Sequence, residues 1–393
     1  MIERNAATSL RKLATQYPIL TVTGPRQSGK TTLCRALFPN HPYVNLEPLD
    51  TREEVRRDPR GFLAGHPNGA VVDEVQHVPE LLSYLQVDVD ANATSGRFIL
   101  TGSQHFGLSQ QIAQSLAGRT AVFQLLPLSL DEVRRFGTAP LDLMTTLWTG
   151  AYPRIFDRGI DPPRWYSDYT TTYIQRDVRQ LLDVSSLEAF TTFLRLCAGR
   201  SAQELVLSSL GADAGVSQPT ARAWLSVLET SFLCHRLPPW HRNVRKQTVK
   251  ASKLHFLDTG LLCFLLGIGN PEQLRTHPLR GAIFETWVAC EIYKARANAG
   301  QIAHLSHYRQ ARGPEVDLVV DATRALLLVE AKSGATVAAD FFAGLDSLAS
   351  LVAKTEAHRT TERVLVYGGD DARRHQQTEI VPWSKLPEVR WCD

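Results

Sequence analysis

Gly24-Pro25-Arg26-Gln27-Ser28-Gly29-Lys30-Thr31 satisfies every fixed position of the Walker A pattern G-x-x-x-x-G-K-[ST]. It lies between a strand-like run, PILTVT (18–23), and a helix-like run, TTLCRALF (31–38). Glycines are needed there because successive backbone N–H groups must turn inward around a β-phosphate. A lysine must meet the β- and γ-phosphates, and a hydroxyl must hold Mg²⁺. Lys30 and Thr31 take those roles. Gly24, Pro25, Arg26, Gln27, Ser28, Gly29 and Thr32 complete the cradle, and the dipole of the following helix points at the same anion.

Outward from this loop, Ala70-Val71-Val72-Asp73-Glu74 is an apolar strand ending in two acids. Asp73 is placed to hold Mg²⁺ through water, and Glu74 to orient and deprotonate the attacking water. An acid directly after the metal-binding aspartate suits ATP hydrolysis of the ASCE type. A kinase-type P-loop protein carries its base elsewhere. The run Phe98-Ile99-Leu100 ends in a polar tip where Thr101 and Ser103 are both candidates to sense the γ-phosphate. Arg119, just before the last apolar run, either reaches a neighbouring subunit's γ-phosphate or faces solvent. Five strand-like runs (PILTVT, YVNL, GAVVDE, RFILTG and TAVFQLL) alternate with helical stretches, which predicts a parallel α/β sheet over residues 1–127.

The chain resembles the prokaryotic AAA-type ATPases that join an N-terminal P-loop domain to a C-terminal domain of unknown function. The resemblance rests on the Walker motifs, LTGSQ (100–104), SLAGRTAVFQLLPLSLDE (115–132), GAYPRIFDR (150–158), YTTTYIQRDVRQL (169–181) and KLHFLDTGLLCFLLG (253–267). It covers nearly the whole chain. It implies an ATPase core, a winged-helix-like helical region and a terminal fold similar to PD-(D/E)xK restriction-endonuclease domains.

Residues 128–277 read as a region where strands give way to helices, with a winged-helix-like segment at 203–240. Within it a turn at Gly215 precedes a recognition-like helix from Ser217 to Glu229, with Ser217 as N-cap. Gln218, Thr220, Arg222 and Ala223 stand at the start of that helix, where such folds touch bases; the same segment also serves as a protein-packing motif in other chains. Arg242, Arg245, Lys246, Lys250 and Lys253 follow without an acid, either neutralising phosphates or forming a solvated loop.

Residues 278–393 read as a second α/β core. Glu285 on a helix, Asp317 on one strand, and Glu330 and Lys332 on the next come in the order of a nuclease core. Phosphodiester hydrolysis needs carboxylates that converge on a divalent ion and a cation that orients water. Asp317 and Glu330 would bind Mg²⁺ or Mn²⁺, Glu285 would assist, and Lys332 would serve the water. Glu330 and Lys332, two apart on a strand, share a face.

The composition fits a globular chain of more than one core, with 393 residues, 44% hydrophobic and 21% charged. A net charge of +3 permits contact with DNA without requiring it. Cys34, Cys197, Cys234, Cys263, Cys290 and Cys392 have neither disulfide-framework nor zinc-ligand spacing, and read as buried hydrophobes in a reducing compartment. No apolar run reaches the roughly 18 residues of a membrane span, and no signal-peptide core opens the chain. The expectation is a cytoplasmic, Mg²⁺-dependent ATPase coupled to a DNA-directed, nuclease-like domain, able to form homo-oligomers. The competing expectation is a slow ATPase switch with an inactive nuclease-like domain used for docking. A small-molecule kinase is disfavoured by Asp73-Glu74 and by the lack of an acceptor lid.

Overall fold

All five N-terminal apolar runs form strands: β1 (Ile19–Gly24), β2 (Tyr43–Asn45), β3 (Ala70–Asp73), β4 (Phe98–Ser103) and β5 (Thr120–Gln124). Every pairing is parallel, in the order β2-β3-β4-β1-β5. Successive side chains leave opposite faces of a strand, so neighbours divide between two cores. Val72, Leu100 and Phe98 join Val75, Leu81 and Leu85 on one side. Val71, Ile99 and Val22 join Leu10, Leu33 and Phe123 on the other. Such near-continuous apolar runs are what a sheet covered on both faces requires.

The computed structural model describes residues 2–103, 115–140, 142–174, 187–240, 251–310, 313–322, 325–356 and 358–392. They divide into two compact units. The first runs to Leu128 and includes Thr230–Phe232 and Ala297–Gln301; the second holds the remainder. The middle and C-terminal regions of the sequence therefore form one unit.

In the second unit the helices Leu187–Gly199, Leu207–Asp213 and Gln218–Thr230 precede a two-stranded antiparallel ribbon, β6 (Cys234–Leu237) and β7 (Lys253–Phe256). The expected absence of strands here is thus corrected: the two runs are four residues each, too short to stand out by alternation. Gly215 turns the chain between the last two helices with φ +70°. Ser217 caps the second of them, its Oγ accepting from Thr220 N at 3.2 Å. Gln218, Arg222 and Ala223 are exposed on it and Thr220 is half-buried. Arg242, Arg245, Lys246 and Lys250 lie outside the described residues.

A mixed sheet follows, built from β8 (Leu305–Arg309), β9 (Glu315–Asp321), β10 (Ala325–Lys332), β11 (Thr360–Tyr367), β12 (Arg373–His375) and β13 (Thr378–Pro382). Its order is β12-β13-β11-β10-β9-β8. β8, β9 and β10 run antiparallel, whereas β10, β11 and β13 are parallel. The helix Ala343–Thr355 buries Leu345, Leu348 and Val352 against Val319, Leu326 and Leu328. The ribbon is stitched to the sheet edge, since Trp240 N donates to His307 O at 2.6 Å and His307 N to Pro238 O at 2.9 Å.

Two sequence motifs far apart in the chain meet in this unit. The buried Asp258 carboxylate accepts from Ala151 N at 2.7 Å, Leu261 N at 2.8 Å and Tyr166 Oη at 2.6 Å. It thereby caps the helix Thr259–Leu265 and anchors the turn before Pro153–Arg158. Gly150 is required at that turn, because a Cβ there would stand 2.1 Å from Tyr166 Oη. Five of the six cysteines are buried, and burial pushes the Cys34 thiol up to about 12.

Candidate nucleotide site and a carboxylate cavity

The loop between β1 and the helix Lys30–Leu37 wraps tightly. Gln27 and Gly29 have φ +62° and +94°, the alternating backbone that turns N–H groups toward a common centre. Gly24 passes so close to β5's end that a Cβ would lie 2.1 Å from Leu125 O. Lys30 Nζ bridges the loop, donating to the carbonyls of Gly24 at 3.0 Å and Pro25 at 2.8 Å. Burial lowers its pKa to about 8, against the opposing pull of Glu74 and Asp73. Ser28 Oγ and Gln27 Oε1 are buried without hydrogen-bond partners. A buried cation held by neutral carbonyls, beside orphaned polar atoms, fits a polyanionic ligand.

Because β4 is inserted between β1 and β3, three strand ends converge beside this loop. Thr31 Oγ1 lies 3.1 and 3.0 Å from the two oxygens of Asp73. Thr101 Oγ1 also donates to Asp73 Oδ1. Of the two sensor candidates, Thr101 is thus brought to the site; the Ser103 side chain lies outside the described residues. Glu74 follows with φ +56°, its Oε2 accepting from Gln76 Nε2. Arg26 is half-buried and Thr32 exposed.

Two residues here escape sequence inspection. Tyr43 Oη donates to Asp73 Oδ2 at 2.8 Å from β2, and burial followed by that bond raises its pKa. Arg4 Nη1 donates to Ser28 O at 2.8 Å and Nη2 to Leu126 O at 2.9 Å, tying the loop to the end of β5. Arg119 is not brought to the loop. It precedes β5, beside Ile19 at the start of β1, and forks onto Asp90 at 2.6 and 2.7 Å. Any contact with a γ-phosphate would have to be made on another copy of the chain.

In the second unit Glu285, Asp317, Glu330 and Lys332 line one cavity of about 730 Å³. Glu285 comes from the helix Arg280–Asn298, Asp317 from β9 and the other two from the end of β10. The register sets Val329 against Leu318, so Glu330 and Asp317 fall next to each other across the two strands. Asp317 Oδ2 accepts from Ala331 N at 2.9 Å, and Lys332 Nζ donates to Glu330 Oε1. Burial, then the Asp317 charge, pushes Glu330 up to about 8. The same two causes raise Glu285 well above the usual carboxylate range.

Glu315 and Lys253 also line this cavity, in contact with each other. Glu315, two before Asp317 on β9, was detectable by strand alternation. Lys253 was not, and its assignment to a phosphate-neutralising run is corrected: it is 3% exposed, with Nζ 2.8 Å from Glu285 Oε1 and 2.7 Å from Glu315 Oε1. Burial lowers its pKa, but Glu285, Asp317 and Glu315 outweigh burial and leave it raised. The ribbon's attachment to the C-terminal sheet carries it there. Among the described residues no group of three or more His, Cys, Asp and Glu side chains is arranged as a metal site. None of their helices is long and apolar enough to cross a membrane.

Three family models match in turn: an AAA domain over residues 16–134, a domain of unknown function (DUF8612) over 141–272, and a domain of unknown function (DUF4143) over 280–386. The uncharacterized proteins Mb2031c of Mycobacterium bovis and Rv2008c of Mycobacterium tuberculosis are each 31% identical over 325 residues. That span is 81% of this chain and 71% of theirs. Among solved structures, the Walker-type ATPase PABY2304 of Pyrococcus abyssi is 16% identical, with a TM-score of 0.47 over 67% of this chain and 96% of that one. The chain belongs to the family of these mycobacterial proteins, and its N-terminal unit is a nucleotide-binding AAA-type P-loop ATPase domain.

Proposed function

We propose that the chain is a Mg²⁺-dependent ATPase whose second unit is directed at DNA through a nuclease-like site. Lys30 and the loop amides bind the triphosphate, Thr101 orients groups around Asp73, and Glu74 takes the proton from attacking water. Thr31 and Asp73 would hold Mg²⁺, which neutralises charge on the phosphates. The nuclease-like assignment is supported by one observation above others. Glu285, Asp317, Glu330 and Lys332, from a helix and two strands, meet in one cavity. Asp317 and Glu330 would hold Mg²⁺ or Mn²⁺ there, polarising a scissile phosphate. Glu285 assists them, and Lys332 orients water. The exposed face of the capped helix, with Gln218 and Arg222, is the proposed DNA contact.

A second reading, a slow ATPase switch whose carboxylate site is inactive and serves docking, is favoured by the lysine already seated among the carboxylates. Calorimetry and turnover on the purified full chain separate the possibilities. Lys30→Ala should abolish ATP binding or turnover. Asp317→Ala should remove Mn²⁺-dependent cleavage of plasmid, linear and single-stranded DNA while sparing turnover. Absence of ATP binding by the wild type with Mg²⁺ would end the main reading, and DNA left intact in every form would select the switch.

A further inference from the structure

The carboxylate cavity is short of positive charge, and the shortage is unevenly distributed. Glu285, Glu315, Asp317 and Glu330 face two interior ammonium groups, Lys253 and Lys332, and Glu204 and Asp340 add two more acids to the lining. Arg309, half-exposed, lies at the rim between Glu204 Oε1 at 3.7 Å and Glu315 Oε2 at 3.8 Å. Lys253 Nζ sits between the helix and β9, 2.8 Å from Glu285 Oε1, 2.7 Å from Glu315 Oε1 and 3.7 Å from Asp317 Oδ1. At the other end Lys332 takes Glu330 Oε1, and its Nζ is 4.0 Å from Asp317 Oδ2. Glu330 is 8% exposed, and its Oε2 is buried with no partner.

Close carboxylates offset the desolvation of an ammonium buried as deeply as Lys253. Carboxylate oxygens of this kind are also the ligands that a hard divalent ion takes. The unpartnered Glu330 oxygen marks the part of the cavity where the carboxylates still lack a cation. We propose that Lys253 is a built-in cation in the place of one divalent metal, between Glu285, Glu315 and Asp317, and that the cavity takes a single further ion at Asp317 and Glu330. The inference rests on the metal-site reading above and specifies its stoichiometry. The first cation is covalently part of the ribbon, so it cannot be chelated, and the β7 strand becomes a component of the site.

The test is Mn²⁺ titration of the nucleotide-free full chain, followed by the electron paramagnetic resonance of free Mn²⁺, counting only ions lost in Asp317→Asn. The wild type should bind one such ion. Lys253→Met should bind two, or one at least about tenfold tighter, and Lys253→Arg should still bind one. Two ions in the wild type, or one of unchanged affinity in Lys253→Met, overturns the inference. An ion present in Lys253→Met alone overturns the single-ion assignment. No ion in any of these proteins defeats the metal-site reading itself. Should Lys253→Met not fold, Glu315→Gln decides: affinity within about threefold of wild type is expected, and a loss of about tenfold or more makes Glu315 a ligand and refutes the proposal.

Discussion

The two units each bury a lysine, and the contrast between Lys30 and Lys253 shows what each is for. Lys30 donates to two neutral carbonyls inside one contiguous turn, and burial brings its pKa down to about 8. Lys253 is wedged among carboxylates from distant segments, and their charge outweighs burial and holds its pKa up. A cation on carbonyls still lacks an anion, which suits a site for a triphosphate. A cation already surrounded by anions has its counter-charges in the fold.

The largest effect that would sharpen this contrast lies at Glu74. Glu74→Gln should lower phosphate release by about 10²-fold or more while ATP stays bound, because general-base catalysis contributes that much. Nucleotide-retention and phosphate-release assays check it, and Mn²⁺ binding that tracks Asp317 should not change. Turnover within a factor of a few of wild type would place the base elsewhere.

Next comes Asp258, which belongs to the second unit alone. Asp258→Ala leaves two buried N–H groups without their acceptor and takes from Tyr166 Oη the nearer of its two, Thr149 O remaining at 3.1 Å, and should cost about 3 kcal/mol. A lower denaturation midpoint for that unit, with ATP affinity retained, is the expected pattern.

Acid should weaken the same unit more gently. Burial lowers His235 and His307 from the ordinary imidazole value of about 6.5 to about 4, and His255 well below 6.5. A base whose folded pKa is depressed binds fewer protons when folded, so its stabilising effect is full above about 6.5 and fades as pH falls toward 4. His235, with both ring nitrogens buried and unpartnered, stacks near His255 and Tyr293. Urea unfolding of His235→Phe should therefore show a shallower loss between pH 6.5 and 4.5 than the wild type. An unchanged slope would remove this histidine from the account.

The smallest effect is expected at Arg119. Arg119→Ala removes an exposed pair with Asp90 and should leave thermal stability and ATP affinity unaltered. A fall in turnover that appears only at protein concentrations where the chain self-associates would reveal a role on a neighbour.

The legible parts were those written in short stretches. The cradle and the acid pair beside it occupy contiguous runs, 24–31 and 73–74, in which the backbone itself supplies much of the geometry. Glu330 and Lys332 share a face for the same local reason. Tyr43, Arg4 and Lys253 were not legible, because each acquires its partner through sheet packing or ribbon docking, and no spacing in the chain encodes that. Lys253 even misled: among neighbouring bases it looks solvated, and only the antiparallel pairing of β7 and the stitch from Trp240 to His307 bring it inside. The strands β12 and β13 were passed over because one is three exposed residues and the other ends in proline.

The stitched ribbon also limits how this polypeptide can be divided or recombined. A fragment starting near residue 278 would keep Glu285, Glu315, Asp317 and Glu330 and discard the lysine that the first three surround, so it would be expected to swell or aggregate at neutral pH. One starting at Ser129 keeps donor and acceptors together. In evolution, likewise, a terminal sheet transplanted without its ribbon would arrive with an electrostatic fault that its new host would have to mend.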